Sequence, residues 1–436
     1  MKKIIISFAL TCFLITANAQ ETIIPAPKQV QPVVITNATV HVGNGQVLNN
    51  ATIVVTNGKI SAIGNNVTAP SGAKTINAQG KHVYPGLILS SSNLGLVEVN
   101  SVRATSDARE IGDMNPNVRS IIAYNTDSKV INTLRPNGVL LASVVPEGGM
   151  LSGQSSVVQL DAWNWEDAAY KIDNGIHFRV PSLLARPRGF GFSGGRPGAE
   201  PVDPVKEGLD KIDEFKTFLR QAKAYNNVAK PDEVNLKYSA VKGLFDKSKK
   251  LYIHASTVKQ ILVAIDVAKE FDLDAVLVGG EDSWQVADLL KQANMPVILS
   301  QPHSLPLLPD DDVDQPYKTA ALLQKAGVLF SINDEDGQTR GRNLPFQAGT
   351  AAAYGLTREQ ALAAITLNAA KILGVADKTG SLEVGKDANI VISEGDILDI
   401  RTNLVTNAFI QGREINLENK QTQLYDKYKR KYTGAF

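Results

Sequence analysis

The stretch YPGLILSSSN, residues 84–93, marks a change in the pattern of predicted secondary structure along the chain. Before it, residues 32–84 form short strand-like runs separated by turns, including the hairpin signal Asn57-Gly58. From Pro85 onward, apolar strand-like runs alternate with amphipathic helical runs, which is typical of a parallel βα architecture. After about residue 378 the sequence again consists of short strand-like runs. The sequence therefore predicts a βα core between two β-rich ends.

Six runs in the middle of the chain read as barrel strands, because nearly continuous apolar sequence suits strands that are buried on both faces. They are residues 86–90, 138–145, 252–255, 275–278, 297–300 and 328–332. Helical spacing separates them, for example over residues 258–271 and after the capping box at Thr357. We therefore predict an α/β fold, a (β/α)8 TIM-type barrel flanked by a small β-sandwich built from both termini.

Domain boundaries follow from these changes in the predicted secondary structure. Residues 20–84 and 378–420 are predicted to form the two parts of the sandwich, and residues 85–377 the barrel. Residues 421–436 are a charged tail, predicted to be a short helix or a frayed end. The barrel is interrupted at residues 185–204, which are rich in Gly, Pro and Arg and are predicted to be a surface loop. A lid over the barrel mouth is the functional alternative for this loop.

The N-terminus has the pattern of a signal peptide. Lys2 and Lys3 precede a mostly apolar run over residues 4–16, and Ala17-Asn18-Ala19 is a small-x-small cleavage site. Residues 1–19 are therefore predicted to be removed, and the protein is predicted to be exported to the periplasm or cell envelope. A buried first strand or a membrane anchor are the alternatives, but the apolar run is too short to span a bilayer. No later stretch has the length of a transmembrane helix.

Composition excludes several kinds of site. Cys12 is the only cysteine, so the exported chain would have no disulfide, no thiolate metal site and no Cys nucleophile. Removal of Lys2 and Lys3 takes the formal net charge from +1 to −1. A near-neutral chain with interspersed charges argues against nucleic acid or an anionic membrane as the main partner.

Two motifs resemble the amidohydrolase superfamily, nearest to its imidazolonepropionase-related group. The first is GKISAIG at residues 58–64, leading on to YPGLI at 84–88. The second is ALAAITLNAAKILG at 361–374, followed by GSL at 380–382 and GKDA at 385–388. The resemblance covers nearly all of the chain after residue 19 and implies the same barrel.

The resemblance also implies a metal site that this chain has partly lost. In the family the first barrel strand continues into His-x-His, and the two histidines enter the barrel mouth together because alternate strand residues share a face. Here Ser91 and Asn93 stand at those positions, and neither is a good zinc ligand. Gly279 stands where the sixth-strand histidine is expected. No bridging lysine of the fourth strand is found near residues 175–180.

Two expected metal ligands remain. His254 resembles the fifth-strand histidine, and Asp334 resembles the eighth-strand aspartate that serves as ligand and general base, with Asp336 as an alternate. His303 follows the seventh strand, so a rebuilt site of His254, His303 and Asp334 is one interpretation. The structural alternative is a barrel histidine hydrogen-bonded to Asp334 and a loop histidine at position 303. The other histidines are predicted to be structural, on the sandwich or an outer segment: His41, His82 and His177.

Polar residues nevertheless follow the predicted strands, where active sites of such barrels lie. Glu147-Gly148-Gly149 and Glu281 are two such segments, and Arg342 with Asn343 comes after the last strand. We predict Glu281, Arg342 and Asn343 as substrate-binding residues, since an arginine meets a carboxylate bidentately. Ordinary surface charge is the alternative.

Two functions are compatible with these residues. The first is an exported pseudoenzyme without a cofactor, which binds a small molecule or peptide or pairs with an active amidohydrolase. The second is a hydrolase of C–N bonds in amides, cyclic amides or small peptides, with a reduced site for zinc or another divalent metal. A metal-free hydrolase using Ser91 or Ser92 is a third option, although no base is paired with either serine in the sequence. The missing ligands favour the pseudoenzyme.

Overall fold

The computed structural model describes residues 23–184, 203–231, 233–334 and 338–434, without the side chains of residues 338 and 339. The predicted signal peptide at residues 1–19 lies outside these residues. So do Asp336 and the Gly/Pro/Arg-rich loop at 185–204, apart from its last two residues.

The described strands are β1 (Val33–His41), β2 (Val47–Thr56), β3 (Lys59–Gly64), β4 (Lys74–Asn77), β5 (His82–Pro85), β6 (Leu87–Ser92), β7 (Val139–Val144), β8 (Leu151–Gln159), β9 (Ala169–Arg179), β10 (Lys250–Ala255), β11 (Ala275–Gly279), β12 (Val297–Leu299), β13 (Phe330–Ile332), β14 (Ile390–Ser393), β15 (Val405–Ile410) and β16 (Arg413–Glu414). They form two sheets.

The described α-helices are α1 (Ser120–Ala123), α2 (Ile131–Leu134), α3 (Trp165–Ala168), α4 (Pro204–Asn226), α5 (Leu236–Ala240), α6 (Lys242–Phe245), α7 (Val258–Phe271), α8 (Ala287–Gln292), α9 (Gln315–Ala326), α10 (Leu344–Ala353), α11 (Arg358–Ala364), α12 (Leu367–Leu373) and α13 (Lys420–Thr433). Short 3-10 helices occupy Arg103–Thr105, Arg135–Asn137, Ser283–Val286 and Gln338–Asn343. Within the described part of the chain, no helix has the length and apolar character that crossing a bilayer requires.

The central sheet is of TIM-barrel type, with eight strands in the order β6 to β13. All six predicted barrel strands are confirmed, as β6, β7, β10, β11, β12 and β13. The prediction of eight parallel strands is wrong in one respect, because β8 runs antiparallel to both β7 and β9. Only residues 145–150 connect β7 to β8, whereas a parallel return needs a crossover of a dozen or more residues.

Helix α7 illustrates how local signals fix the barrel's outer layer. It covers residues 258–271, as predicted, and begins at the capping box that Thr257 forms with Gln260. Ile261, Ala264, Val267 and Phe271 are buried, so one apolar stripe faces the barrel. The predicted capping box at Thr357 is likewise confirmed at the start of α11.

The side chain of Asn333 joins the two edge strands of the barrel, β13 and β6. Its Nδ2 donates to Ser91 O at 2.8 Å, and its Oδ1 accepts from Ser91 N at 3.1 Å. Next to this contact, the hydroxyl of Ser90 in β6 donates to the hydroxyl of Ser331 in β13 at 3.1 Å. These four residues are almost fully buried. The side chain of Asn333 therefore satisfies the N–H and C=O of Ser91, which backbone hydrogen bonds between two paired strands would otherwise satisfy.

Both ends of the chain contribute to the second sheet, whose order is β16-β15-β14-β5-β1-β2-β3, with β4 beside β1. The join is the antiparallel pairing of β5 with β14, in which Tyr84 lies opposite Val391. Ile390 and Ile392 face an apolar core of this sheet, while Val391 faces the core of the barrel. A terminal β-structure built from both ends is therefore observed, and its description as a two-layer sandwich stays a prediction.

We expect the Asn333→Leu variant to unfold more readily, because it leaves a buried N–H and C=O of Ser91 without partners. The expected loss is on the order of 3 kcal/mol in the free energy of unfolding, measured by urea denaturation. Asn66→Leu, at an exposed position, is the matched control. A loss below about 0.5 kcal/mol, the usual range of a surface change, would show that the barrel closes without this amide.

Candidate functional site at the barrel mouth

A cavity of about 450 Å³ opens where the carboxyl ends of the barrel strands meet. Ser91 and Asn93 line it from the end of β6, and Arg179 and His254 from the ends of β9 and β10. The loop between β7 and β8 contributes Glu147 and two glycines. Its volume is in the range of small-molecule sites, and its position is where barrels of this type bind their ligands.

The positions predicted to have lost the His-x-His pair lie in this cavity. The backbone of Ser91 is held by Asn333, and Asn93 Nδ2 donates to Glu147 Oε1 at 2.9 Å. The other oxygen of Glu147 lies 3.4 Å from Arg109 Nη2. The side chains at this edge of the cavity therefore bind one another.

His254 contacts two residues that the sequence analysis did not assign to the site. His254 Nε2 lies 2.9 Å from His177 Nδ1, and Arg179 Nη1 lies 3.3 Å from His254 Nδ1. The His177 ring stacks on Tyr252, with centroids 4.8 Å apart and planes inclined by 6°. The prediction that His177 lies on the sandwich or an outer segment is wrong, because it is a buried residue of strand β9.

These contacts fix the protons of both imidazoles. A guanidinium only donates, so His254 Nδ1 accepts from Arg179 and His254 Nε2 carries the proton that it donates to His177 Nδ1. His177 Nε2 then carries the remaining proton, and it is buried without an acceptor among the described residues. Burial, together with the charge of Arg179, holds the pKa of both histidines well below the usual value. Both rings are therefore neutral at pH 7, and neither nitrogen of His254 has a free lone pair.

Asp334 is buried directly after β13, at 4% exposure. Its Oδ2 accepts from Gln347 Nε2 at 3.1 Å, and its Oδ1 has no donor among the described residues. Burial raises the pKa of Asp334 to about 6, although the hydrogen bond from Gln347 and the charge of Arg340 oppose the rise. The expected hydrogen bond between His254 and Asp334 is not formed, because the ring nitrogens of His254 are engaged by His177 and Arg179.

The rebuilt metal site is not assembled. His303 is exposed on the loop after β12, where its Nε2 lies 2.6 Å from the Thr350 hydroxyl. Gln347 links this loop to Asp334, because its Oε1 accepts from the His303 amide while its Nε2 donates to Asp334. Across the described ranges, no three His, Cys, Asp or Glu side chains are grouped in a way that would hold a metal ion.

Gly279 occupies the end of β11, where the backbone conformation disfavours a histidine. Its φ of +98° is a conformation that residues with a Cβ rarely adopt. A Cβ would also lie 3.2 Å from both Ala255 O and Glu281 Oε2. Glu281 accepts from the Ser300 hydroxyl at 3.0 Å and lines a separate small cavity with Trp284.

The substrate-binding role of Glu281, Arg342 and Asn343 stays a prediction. In the described part of the chain, the lining of the 450 Å³ cavity does not include Glu281, Arg342 or Asn343. The 3-10 helix that carries Arg342 and Asn343 packs through Gly341 toward Leu89 and Leu134.

Arg179 is the residue that sequence reasoning missed with most consequence. It lies opposite His254 in the parallel pairing of β9 with β10, in the segment where the bridging lysine was sought. Period-two alternation places His177 and Arg179 on one face of β9, and this signal was available in the sequence. A guanidinium offers no lone pair and carries a permanent positive charge, so this donor set does not fit a divalent metal.

Comparison with known proteins gives a consistent picture. Residues 317–416 match the sequence model of the amidohydrolase family. An imidazolonepropionase of Mesorhizobium japonicum is 25% identical over 349 residues, which cover 74% of this chain and 80% of that protein. An imidazolonepropionase of Thermoplasma volcanium is 38% identical over 86 residues, but this stretch covers 19% of this chain and only 21% of the relative.

Solved structures extend the likeness to most of the chain. The crystal structure of an amidohydrolase from Thermotoga maritima has a TM-score of 0.74 and 26% identity, over 88% of this chain and 99% of that chain. A prolidase complexed with N-methylphosphonate-L-proline has a TM-score of 0.56 over 88% of this chain and 100% of its own. Its 15% identity shows a shared fold alone.

The protonation of the histidine pair is testable by NMR. We expect the imidazole resonances of His177 and His254 to show no titration between about pH 5.5 and 8, because an ordinary histidine titrates near 6.5 and these two stay neutral. His177→Gln and His254→Gln variants assign the signals. A midpoint near 6.5 for either ring would contradict the contacts described above.

Asp334 predicts a dependence of stability on pH. An aspartate in an unfolded chain titrates near 3.9, and this one at about 6 in the folded protein. The folded state holds the proton more tightly, so the contribution of Asp334 to the free energy of unfolding falls as pH rises from about 4 to about 6. We expect Asp334→Asn to lack this fall, and to gain roughly 3 kcal/mol relative to the wild-type protein across that interval.

Urea denaturation between pH 4 and 7 measures this difference. Asp310→Asn is the matched control, because Asp310 is exposed. Parallel curves for the wild-type protein and Asp334→Asn would mean that the buried carboxyl titrates as it does in the unfolded chain.

Proposed function

We propose that this chain, which belongs to the amidohydrolase superfamily and to its imidazolonepropionase-related group, binds a ligand at the barrel mouth without metal-dependent catalysis. It would then be a pseudoenzyme: a barrel that keeps the position of the ancestral site but uses it for recognition. Sharing a fold does not grant its chemistry, so the proposal depends on the site residues.

One observation carries the proposal. The lone pair of His254 Nδ1 is taken by Arg179, and the proton on His254 Nε2 is donated to His177. A zinc ion needs neutral imidazole nitrogens with free lone pairs, and a catalytic zinc needs about three protein ligands. A fixed guanidinium charge beside His254 further disfavours a divalent cation by Coulomb repulsion.

The other expected ligand positions support the same conclusion. Ser91 and Asn93 stand in place of the histidine pair, and the positive φ of Gly279 would strain a third histidine at that position. Asn93 is hydrogen-bonded to Glu147.

A second function is favoured by Asp334. A carboxyl with a pKa of about 6 and an unpartnered oxygen has the properties of a general base that works near neutral pH. The alternative is therefore a hydrolase of C–N bonds in amides, cyclic amides or small peptides, with zinc or another divalent metal at a reduced site. The relative named imidazolonepropionase is compatible with this alternative.

We also propose that the protein is exported to the periplasm or cell envelope, on the basis of residues 1–19. A pseudoenzyme in that compartment would bind a small molecule or peptide, or would serve as the partner of an active amidohydrolase. Isolation of the protein with its neighbours from native envelopes tests this, and recovery as a solitary monomer would contradict the partner role.

Metal analysis tests the proposed function. After incubation with excess zinc and dialysis, we expect fewer than about 0.1 zinc ions per chain, because His254 offers no free lone pair. We also expect no metal-dependent turnover of N-acyl amino acids or Xaa-Pro dipeptides. The His254→Ala variant should bind no less zinc than the wild-type protein.

His82→Ala, in the terminal sheet, is the control for removing a histidine. One zinc ion per chain that disappears in His254→Ala but remains in His82→Ala would overturn the pseudoenzyme. Turnover that requires this metal and Asp334 would establish the hydrolase.

A further inference from the structure

We infer that Arg179 is the recognition group for a small ligand bearing an oxyanion, a carboxylate or a phosphate, in the barrel-mouth cavity. The inference rests on the proposed function, since a metal held by His254 would replace the contact that positions Arg179. It assigns a ligand chemistry to the cavity, and it assigns the role to a residue of strand β9.

The charge of Arg179 has no carboxylate partner among the described residues. Its side-chain contact is with neutral His254, at 3.3 Å. Two described arginines that are more deeply buried differ in this respect: Arg135 Nη1 and Arg413 Nη1 lie 2.9 and 2.7 Å from the two oxygens of Asp161. A half-buried cation is costly when it is unpaired, so an uncompensated one at a cavity indicates an anion that binds there.

The geometry of a guanidinium narrows the class of anion. Its N–H groups form a planar fork that matches the two oxygens of a carboxylate or a phosphate. One N–H of Arg179 is used by His254 Nδ1, which holds the side chain at the cavity wall and leaves the rest of the fork available. His254 therefore acts as a positioning residue, and the stack of His177 on Tyr252 supports it from behind.

Backbone and hydroxyl donors line the same cavity. Gly148 and Gly149 both have positive φ, 84° and 65°, and their amides have no acceptor among the described residues. A Cβ at Gly149 would lie 2.8 Å from Gly112 O, so only glycine brings the backbone this close. The Ser92 hydroxyl accepts from the Leu94 amide at 3.0 Å, and its own proton is free to donate. Adjacent free amides and hydroxyls are groups that bind oxyanions.

Glu147 does not cancel this preference. Its two oxygens are engaged by Asn93 at 2.9 Å and Arg109 at 3.4 Å, so its charge is compensated by Arg109. Among the described lining residues, Arg109 and Glu147 pair with each other, and Arg179 leaves a net positive charge. With a volume of about 450 Å³, the cavity has room for a small organic anion rather than a bare ion alone.

Calorimetric titration of the chelator-treated, full-length protein tests the inference, with acetate, inorganic phosphate and the neutral isostere acetamide as probes. We expect saturable binding of at least one anion, and at least about tenfold weaker binding of acetamide, because only a charged oxyanion pairs with the guanidinium. Binding of acetate alone, phosphate alone or both identifies the source of the oxyanion. Binding of neither anion, or equal binding of acetamide, overturns the inference.

Variants assign the binding to Arg179. Arg179→Met keeps the length of the side chain and should weaken anion binding by about tenfold or more, whereas Arg179→Lys keeps the charge without the fork and should retain part of it. Arg401→Met removes an exposed arginine beside the terminal sheet and should leave binding unchanged. Unchanged anion binding by Arg179→Met would overturn the assignment.

Circular dichroism should show native unfolding midpoints for these variants, and if Arg179→Met does not fold, the comparison uses Arg179→Lys. The two proposals fail separately: a zinc-loaded protein refutes the pseudoenzyme, and a metal-free protein that binds neither anion refutes only the oxyanion site.

Discussion

A buried amide side chain, that of Asn333, links the two edge strands of this barrel. Asn333 both donates to and accepts from the backbone of Ser91, which joins the last barrel strand to the first where the two sheet edges meet. An amide is suited to this place because it carries a donor and an acceptor on one rigid plane, as a peptide group does. The contact holds the end of β6, and Asp334 follows Asn333 directly in the chain.

The short connection after β7 shapes the rest of the mouth. Because residues 145–150 cannot carry a crossover, the chain turns back as β8 and the loop itself lies at the cavity. In this loop Glu147 accepts a hydrogen bond from Asn93, and the amides of Gly148 and Gly149 have no acceptor among the described residues. Strand β8 pairs with β9, and β9 pairs with β10 on its other side. This order places His177 and Arg179 of β9 beside His254 of β10.

Much of this architecture could be predicted from sequence, because the signals are local. Apolar runs marked six of the barrel strands, and the capping boxes at Thr257 and Thr357 mark helix starts. Strand β9 was missed because Lys171, Asp173 and Asn174 interrupt its apolar pattern. These polar residues lie in the first half of the strand, which forms a hairpin with β8. Polar residues in a half-exposed strand look like a loop when each is considered alone.

The candidate site was harder to predict for a different physical reason. The losses at Ser91, Asn93 and Gly279 are visible as residue types, and the sequence positions sufficed to identify them. The partner of His254 is not a property of its own position, since it depends on which neighbouring strand lies beside β10. The sequence suggested Asp334 across the barrel, whereas the adjacent strand supplies Arg179 within hydrogen-bonding distance.

The pairing of β5 with β14 has a consequence for how the molecule is made. Pro85 lies opposite Ile390, so roughly 300 residues are synthesised between the two partners. Until the C-terminal strands emerge, the N-terminal strands have an open edge able to pair with other chains. The terminal sheet is therefore completed only after the whole barrel has been translated. Truncation near the C-terminus would leave an aggregation-prone intermediate rather than a smaller folded protein.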